Sequence, residues 1–314
     1  MRSPDSWRPA RDVANGVAVT CLLFALSAIL PVAGAVSAML VPLPLMFYRT
    51  KQGRGAAVAI AAVAFIATAV VMGAQVMDAF FLGQLLVAGL ILGELIQWRL
   101  PIEHTVAFSC LGVLGIFGAA LGIYSVSQGI GPLAMVTDAV RSSLEATLIL
   151  YKEMGMSAES VTRIENAMGQ ITYVLVRVTP SLMLSSLIFI SWANLVIARS
   201  LFASRNLPYP DFGRLNRWAA PEFLVWLPIV SGLALMLPVK WLKIIGINGL
   251  LVACVVYFFQ GIAIVSFFFE AKRFPKLLRV MIYSLIAVQQ ILTLLVIGLG
   301  LFDMWLDLRK LKRQ

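Results

Sequence analysis

The feature that most limits what this chain can become is a series of long apolar runs, separated by short segments holding nearly all its basic residues. The runs cover about residues 14–31, 32–48, 55–74, 79–98, 105–126, 172–198, 222–238, 244–269 and 280–302. A hydrocarbon core about 30 Å thick takes roughly 20 apolar residues per helical crossing. Hydrophobic residues are 61% of the 314 and charged residues only 13%, against nearer half and a quarter in a soluble domain. Such a chain cannot hide its apolar surface from water by folding on itself, so the bilayer is its solvent. The expected fold is all-α: a polytopic transmembrane helical bundle of eight or nine spans. The run 32–48 is short for a crossing, with Pro31, Pro42 and Pro44 at its ends, and 222–238 contains Pro228. These two leave the count open.

The basic residues give the orientation. With the N-terminus inside, the cytoplasmic segments hold Arg2, Arg8, Arg11, Arg49, Lys51, Arg54, Arg99, Arg199, Arg205, Arg214, Arg217, Lys272, Arg273, Lys276 and Arg279. The opposite side holds Arg141, Lys152, Arg163, Lys240 and Lys243, plus Arg309, Lys310, Lys312 and Arg313 of the tail. Fifteen against nine favours a cytoplasmic N-terminus in a bacterial inner membrane. The tail would itself prefer the cytoplasm, which an even number of crossings allows. Because the net charge of +10 lies between apolar runs, it reads as topology and not as a nucleic-acid surface. Residues 1–35 have some features of a cleaved signal, ending in Ala33-Gly34-Ala35, but the apolar stretch continues to Tyr48. An uncleaved first helix leading tightly into a second is expected.

Residues 127–170 are too polar to span and too patterned for a plain loop. Val136, Val140, Leu144, Leu148 and Tyr151 recur at helical spacing, with Asp138, Arg141, Ser142, Glu145 and Lys152 around the rest of the helix. A break at Gly155 follows, then Ser157 as N-cap with Glu159 in the first turn, and a second stripe of Val161, Ile164, Met168 and Ile171. This amphipathic insertion is expected on the outer face, in the interface or over the mouth of the bundle. Residues 199–220 read as the clearest cytoplasmic connection. They divide a six-span front part, 1–203, from a back part, 204–314, with two or three spans.

The chemistry is notable for what it omits. His104 is the only histidine, and no Gly-x-x-x-x-Gly-Lys-Ser/Thr loop is present. A histidine-rich metal site and a nucleotide-driven motor are therefore excluded. No cofactor is expected. Cys21, Cys110 and Cys254 all lie in apolar runs and form no disulfide framework. No nucleophile is paired with a base, so no enzyme is expected. The ligand-binding candidates are ionisable or amide groups within or beside the spans, where hydrocarbon offers no partners. They are Arg177, one turn before Pro180, Glu94 near the basic end of its run, and Gln84. Asn194, Asn248, Gln260, Gln289 and Gln290 are amides expected to face other helices or a wet cavity. Ala14 with Ala18, and Gly118 with Gly122, are small-x-x-x-small pairs expected to mark close helix packing.

Four segments of the back part carry a resemblance. They are Pro221-Glu222-Phe223-Leu224-Val225-Trp226, Gly246-Ile247-Asn248-Gly249-Leu250-Leu251, Tyr257-Phe258-Phe259-Gln260-Gly261 and Gly300-Leu301-Phe302-Asp303-Met304-Trp305. With the hydropathy profile, the chain resembles the YybS-like family of predicted bacterial membrane proteins over nearly its whole length. That resemblance implies membrane location and is nearly silent on activity. Six front spans with a small-x-x-x-small pair on the first are also similar to the substrate-binding subunits of energy-coupling-factor vitamin transporters. This second resemblance implies that Ala14 and Ala18 meet a membrane coupling subunit, and that 127–170 closes over a small molecule. The extra C-terminal helices depart from that pattern. The expected function is substrate-binding or transport-like; the alternative is a membrane scaffold or assembly protein with no transported ligand.

Overall fold

The computed structural model describes residues 8–72 and 76–310; Arg2, Lys312 and Arg313, and the side chains of Arg8, Pro31 and Ala33, lie outside the described residues. The described residues are mostly helical and contain no strand. In order, the helices are α1 (Arg8–Ile29), α2 (Pro31–Leu40), α3 (Pro42–Gln52), α4 (Arg54–Met72), α5 (Val76–Gln97) and α6 (Ile102–Ser127). Then come α7 (Pro132–Glu153), α8 (Ala158–Ser204), α9 (Trp226–Met236), α10 (Lys240–Ala271), α11 (Lys276–Val288) and α12 (Gln290–Leu306).

Every apolar run became helix, but not every run became one crossing. Helices α1, α4, α5, α6, α8 and α10 are long and apolar enough to span, six among the described residues. The pair α11 and α12 would be a seventh, but it is bent by 102° at Gln289. This is fewer than the eight or nine expected, for local reasons. The run 32–48 is divided at Val41, because Pro42 has no amide hydrogen to give Ala38 and Pro44 has none to give Leu40. The run 222–238 yields only a short apolar helix, Glu222–Met236.

The chain forms two compact units, Met1–Val176 with Leu187–Asp211, and Arg177–Ser186 with Phe212–Gln314. In the first unit Phe24, Ala38, Val41, Leu45, Ala61, Leu82, Leu85 and Leu86 form a core drawn from α1 to α5, with Ile190 of α8 packed against it. Close approach is built from small residues. A Cβ on Gly89 would stand 2.7 Å from the Pro42 carbonyl oxygen, so α3 and α5 touch backbone to side-chain base. Asn194 of α8 is buried and donates to the Met39 carbonyl at 2.7 Å. That carbonyl is among those orphaned where α2 stops, so a buried amide satisfies the broken helix.

The insertion forms as the periodicity predicts. In α7 the stripe Val136, Val140, Leu144 and Leu148 is less exposed than its surroundings, while Tyr151 is exposed. Gly155 has φ +81°, the left-handed conformation a glycine adopts freely, and ends the turn after α7. The Ser157 hydroxyl then accepts from the Ser160 amide at 3.3 Å and caps α8. The second stripe, however, begins the same 47-residue helix that later carries the apolar run. At 1.5 Å per residue that helix is about 70 Å long, more than twice what a bilayer core needs.

In the second unit, α10 and α12 cross in very close contact. A Cβ on Gly300 would lie 2.0 Å from the Tyr257 carbonyl oxygen, and one on Gly261 2.0 Å from that of Val296. Helix α9 meets α10 the same way: a Cβ on Gly249 would stand 2.1 Å from the Ser231 hydroxyl oxygen. In lipid such close packing is a main source of cohesion between helices.

Candidate functional site

The second unit contains a buried polar cluster that brings three distant parts of the chain together. Asp303 lies in the last turn of α12. Just beyond, Asp307 adopts the left-handed conformation with φ +41° and turns the chain back. The Asp303 carboxylate accepts the Leu308 amide at 3.0 Å and the Arg309 guanidinium at 2.7 Å. Arg309 also donates to the carbonyls of Asn216 at 3.1 Å and Trp218 at 2.8 Å. Its side chain is 0% exposed, that of Asp303 7%. Attraction offsets the desolvation of a buried charge pair only where further hydrogen bonds meet its remaining groups; here the Leu308 amide and the two carbonyls supply them, and the Arg309 Nε is left without a partner.

Gln260 of α10 joins this pair to the connector. Its carbonyl oxygen accepts the Ala220 amide at 3.1 Å, and its amide nitrogen lies 3.4 Å from the Asp303 carboxylate. Asn216 further donates to Glu270. The connector 212–221 is thus fixed through α10 and the returning C-terminal segment. On the outside of this cluster, Glu222, Phe223, Val225, Trp226, Met304 and Trp305 line a groove of about 330 Å³. Segments Pro221–Trp226, Tyr257–Gly261 and Gly300–Trp305, which carried the resemblance in sequence, meet here.

The expected site residues fall elsewhere. Glu94 forms a forked pair with Arg49, at 2.5 and 2.9 Å, and a second ion pair with Arg54 at 3.0 Å. It joins α5 to α3 and to the start of α4. Gln84 is half-buried in α5. Arg177 is half-buried in α8 and belongs with the second unit. Its carbonyl accepts from Asn248. Ala14 and Ala18 are exposed. A Cβ on Gly118 or Gly122 would meet no atom within 4 Å. The tight approaches lie at other glycines, and on α6 at Gly112, where a Cβ would stand 2.9 Å from Ile91. Spacing shows that two small residues share a helix face, but not which neighbour that face meets.

Arg309 was not visible as a site residue in the sequence, because it stands among the basic residues of the tail. The available signal was Asp303, an acid directly after the last apolar run with a basic residue six positions on. Gln260 and Asn248, read as amides in need of partners, have them. Among the described residues no three His, Cys, Asp or Glu side chains gather as a metal site would need.

Long apolar helices, apolar side chains exposed along them and polar groups paired inside define a multi-pass, all-helical integral membrane protein. The family model described as "Predicted membrane protein (DUF2232)" matches residues 18–304, and the chain belongs to that family. It is similar to the "Uncharacterized protein YybS" of Bacillus subtilis (strain 168), 22% identical over 303 residues, covering 93% of this chain and 96% of the relative. No solved structure matches.

Proposed function

We propose that this chain is a bacterial inner-membrane protein with a cytoplasmic N-terminus that binds a small molecule and works in a transport-like manner with a membrane partner. The observation that carries the reading is the two-sidedness of α1. Gly16, Thr20 and Phe24 are buried within the first unit, and a Cβ on Gly16 would collide with Ile60 and Tyr48. Ala14 and Ala18, half a turn away, are left exposed. A small-x-x-x-small pair on the open face of a helix whose opposite face is packed lets a second membrane helix approach closely. It is the place where the resembled vitamin-transporter subunits meet their coupling subunit. Arg177 is the assigned anchor for an anionic substrate, since a guanidinium offers a planar fork of donors. No catalytic step is assigned.

A thermal-shift screen of the purified protein against anionic vitamins and metabolites tests this reading. A stabilising compound is expected, with Arg177→Ala binding it about ten- to a hundredfold more weakly, as loss of a charge-assisted hydrogen bond implies. Arg177→Lys should recover part of the loss. If no compound stabilises the wild type, the substrate reading fails. Equal binding by Arg177→Ala would leave that residue a mere snorkelling charge. Single cysteines at Ser142 and Ser204, both exposed, test the orientation in a background without the native cysteines. In intact spheroplasts an impermeant thiol reagent should label position 142 and spare 204.

The rival reading, a scaffold or assembly protein, is favoured by the α7–α8 hairpin. Lys152 and Glu165 pair across it at 2.8 Å, yet Leu133, Ile149, Leu150, Met154 and Met156 stay exposed on or near α7. Such a patch suits a protein partner.

A further inference from the structure

The groove of the second unit has walls held from behind. One wall is the 3-10 turn Glu222–Val225 with Trp226 at the start of α9; the other is Met304 and Trp305 near the end of α12. Gln260 binds the Ala220 amide, two residues before the first wall, and lies against Asp303, immediately before the second. Asp303 is itself locked by Leu308 and Arg309. The backbones carrying the two indoles are therefore set at a fixed spacing, which is what a preorganised site requires.

The lining chemistry is narrow. Trp226, Trp305 and Phe223 are all exposed. Val225 and Met304 complete the apolar lining, and Glu222 is its one formally charged residue. A carboxylate among three exposed aromatic side chains suits an organic ammonium, which is attracted both by the charge and by ring quadrupoles. About 330 Å³ lies at the small end of ligand sites and fits a headgroup rather than a large solute. The two helices that carry the walls also expose an apolar surface: Ile229, Val230 and Leu233 on α9, Leu299 and Phe302 on α12. An occupant with a charged head and long apolar tails can use the carboxylate and the helix faces at once.

We propose that this groove binds the ammonium headgroup of an aminophospholipid of the phosphatidylethanolamine class, with its acyl chains along α9 and α12. The site is independent of the substrate reading above. The chain's net charge of +10 by itself attracts anionic lipids, so a preference for an ammonium lipid has to come from a local carboxylate.

The test uses the full-length protein, delipidated in detergent, with melting temperature and native mass spectrometry as readouts. Phosphatidylethanolamine, phosphatidylglycerol and water-soluble phosphoethanolamine are added separately. The expected result is that phosphatidylethanolamine binds at least tenfold more tightly than phosphatidylglycerol and raises the melting temperature, while phosphoethanolamine does neither. Glu222→Gln should reduce that preference about tenfold. Trp305→Leu, which keeps the wall apolar, should weaken phosphatidylethanolamine and leave phosphatidylglycerol unchanged. Equal binding of the two lipids, or a preference that survives both substitutions, would overturn the proposal. So would phosphoethanolamine reproducing the lipid's effect, because the apolar helix faces would then play no part.

Discussion

The side-chain amide of Asn248 on α10 lies 3.0 Å from the carbonyl oxygen of Arg177 on α8, and its own oxygen accepts the Ser181 amide at 3.2 Å. Those two backbone groups are four residues apart and would bond each other in a regular helix. The amide has entered the ladder beside Pro180, one of the recognised ways a helix is bent. It explains why Arg177–Ser186 groups with the second unit while the rest of α8 does not.

Asn248→Leu should therefore lower thermal stability in detergent by about 1–3 kcal/mol for each backbone group left without a partner. Asn248→Asp should rescue little, since an ionised carboxylate can accept from Ser181 but cannot donate to Arg177. Loss confined to one unit is the expected pattern. Hydrogen exchange across 177–186 would show it, and unchanged protection there would sink the account.

The buried pair of Asp303 and Arg309 gives a second expectation. Removing one partner leaves an uncompensated buried charge, with a cost of about 3–5 kcal/mol. Arg309→Met and Asp303→Leu should each be strongly destabilising. The double substitution should recover much of that, because two apolar groups of similar volume leave no orphan charge. A double-mutant cycle on thermal unfolding measures the coupling; additive losses would contradict it.

Glycine substitutions should separate packed faces from open ones. Gly300→Leu and Gly261→Leu place side chains against backbone at the α10–α12 crossing and should prevent recovery of folded protein or cut its melting temperature sharply. Gly118→Leu meets no neighbour within 4 Å and should change stability by no more than about 0.5 kcal/mol in the monomer. A large loss at Gly118 would mean that this face is covered by a second chain.

Tyr209, in the connector after α8, donates its hydroxyl to the Leu195 carbonyl at 2.5 Å and packs edge-on against Phe202. Burial pushes its phenol above the ordinary tyrosine range. A raised pKa in the folded state means the stabilising form is the protonated one. The contribution is complete below about pH 10, the value of a free tyrosine, and is lost as pH rises beyond it. Tyr209→Phe should thus be less stable at neutral pH and lose less than the wild type between neutral and strongly alkaline pH. Parallel slopes for the two proteins would refute this.

The sequence by itself determined what depends on short stretches of chain. Apolar runs must be helical in lipid, because no water is available to backbone groups there, and each run became helix. The Ser157 cap and the stripe of α7 followed from spacing alone, and amides at 248 and 260 were legible as groups in need of partners. The prolines around residue 41 already carried the cause of the α2–α3 break. Only the tertiary structure decided which partners those groups found. It took Arg309 from a basic tail and placed it on Asp303, it put Glu94 between Arg49 and Arg54, and it chose Gly261 and Gly300 over Gly118 and Gly122 as points of contact. It also bent the last run at Gln289. The physical reason is common to all four. A one-dimensional pattern fixes the face a residue occupies on its own helix, but pairing energy depends on ångström distances between helices far apart in the chain, and those distances exist only after packing.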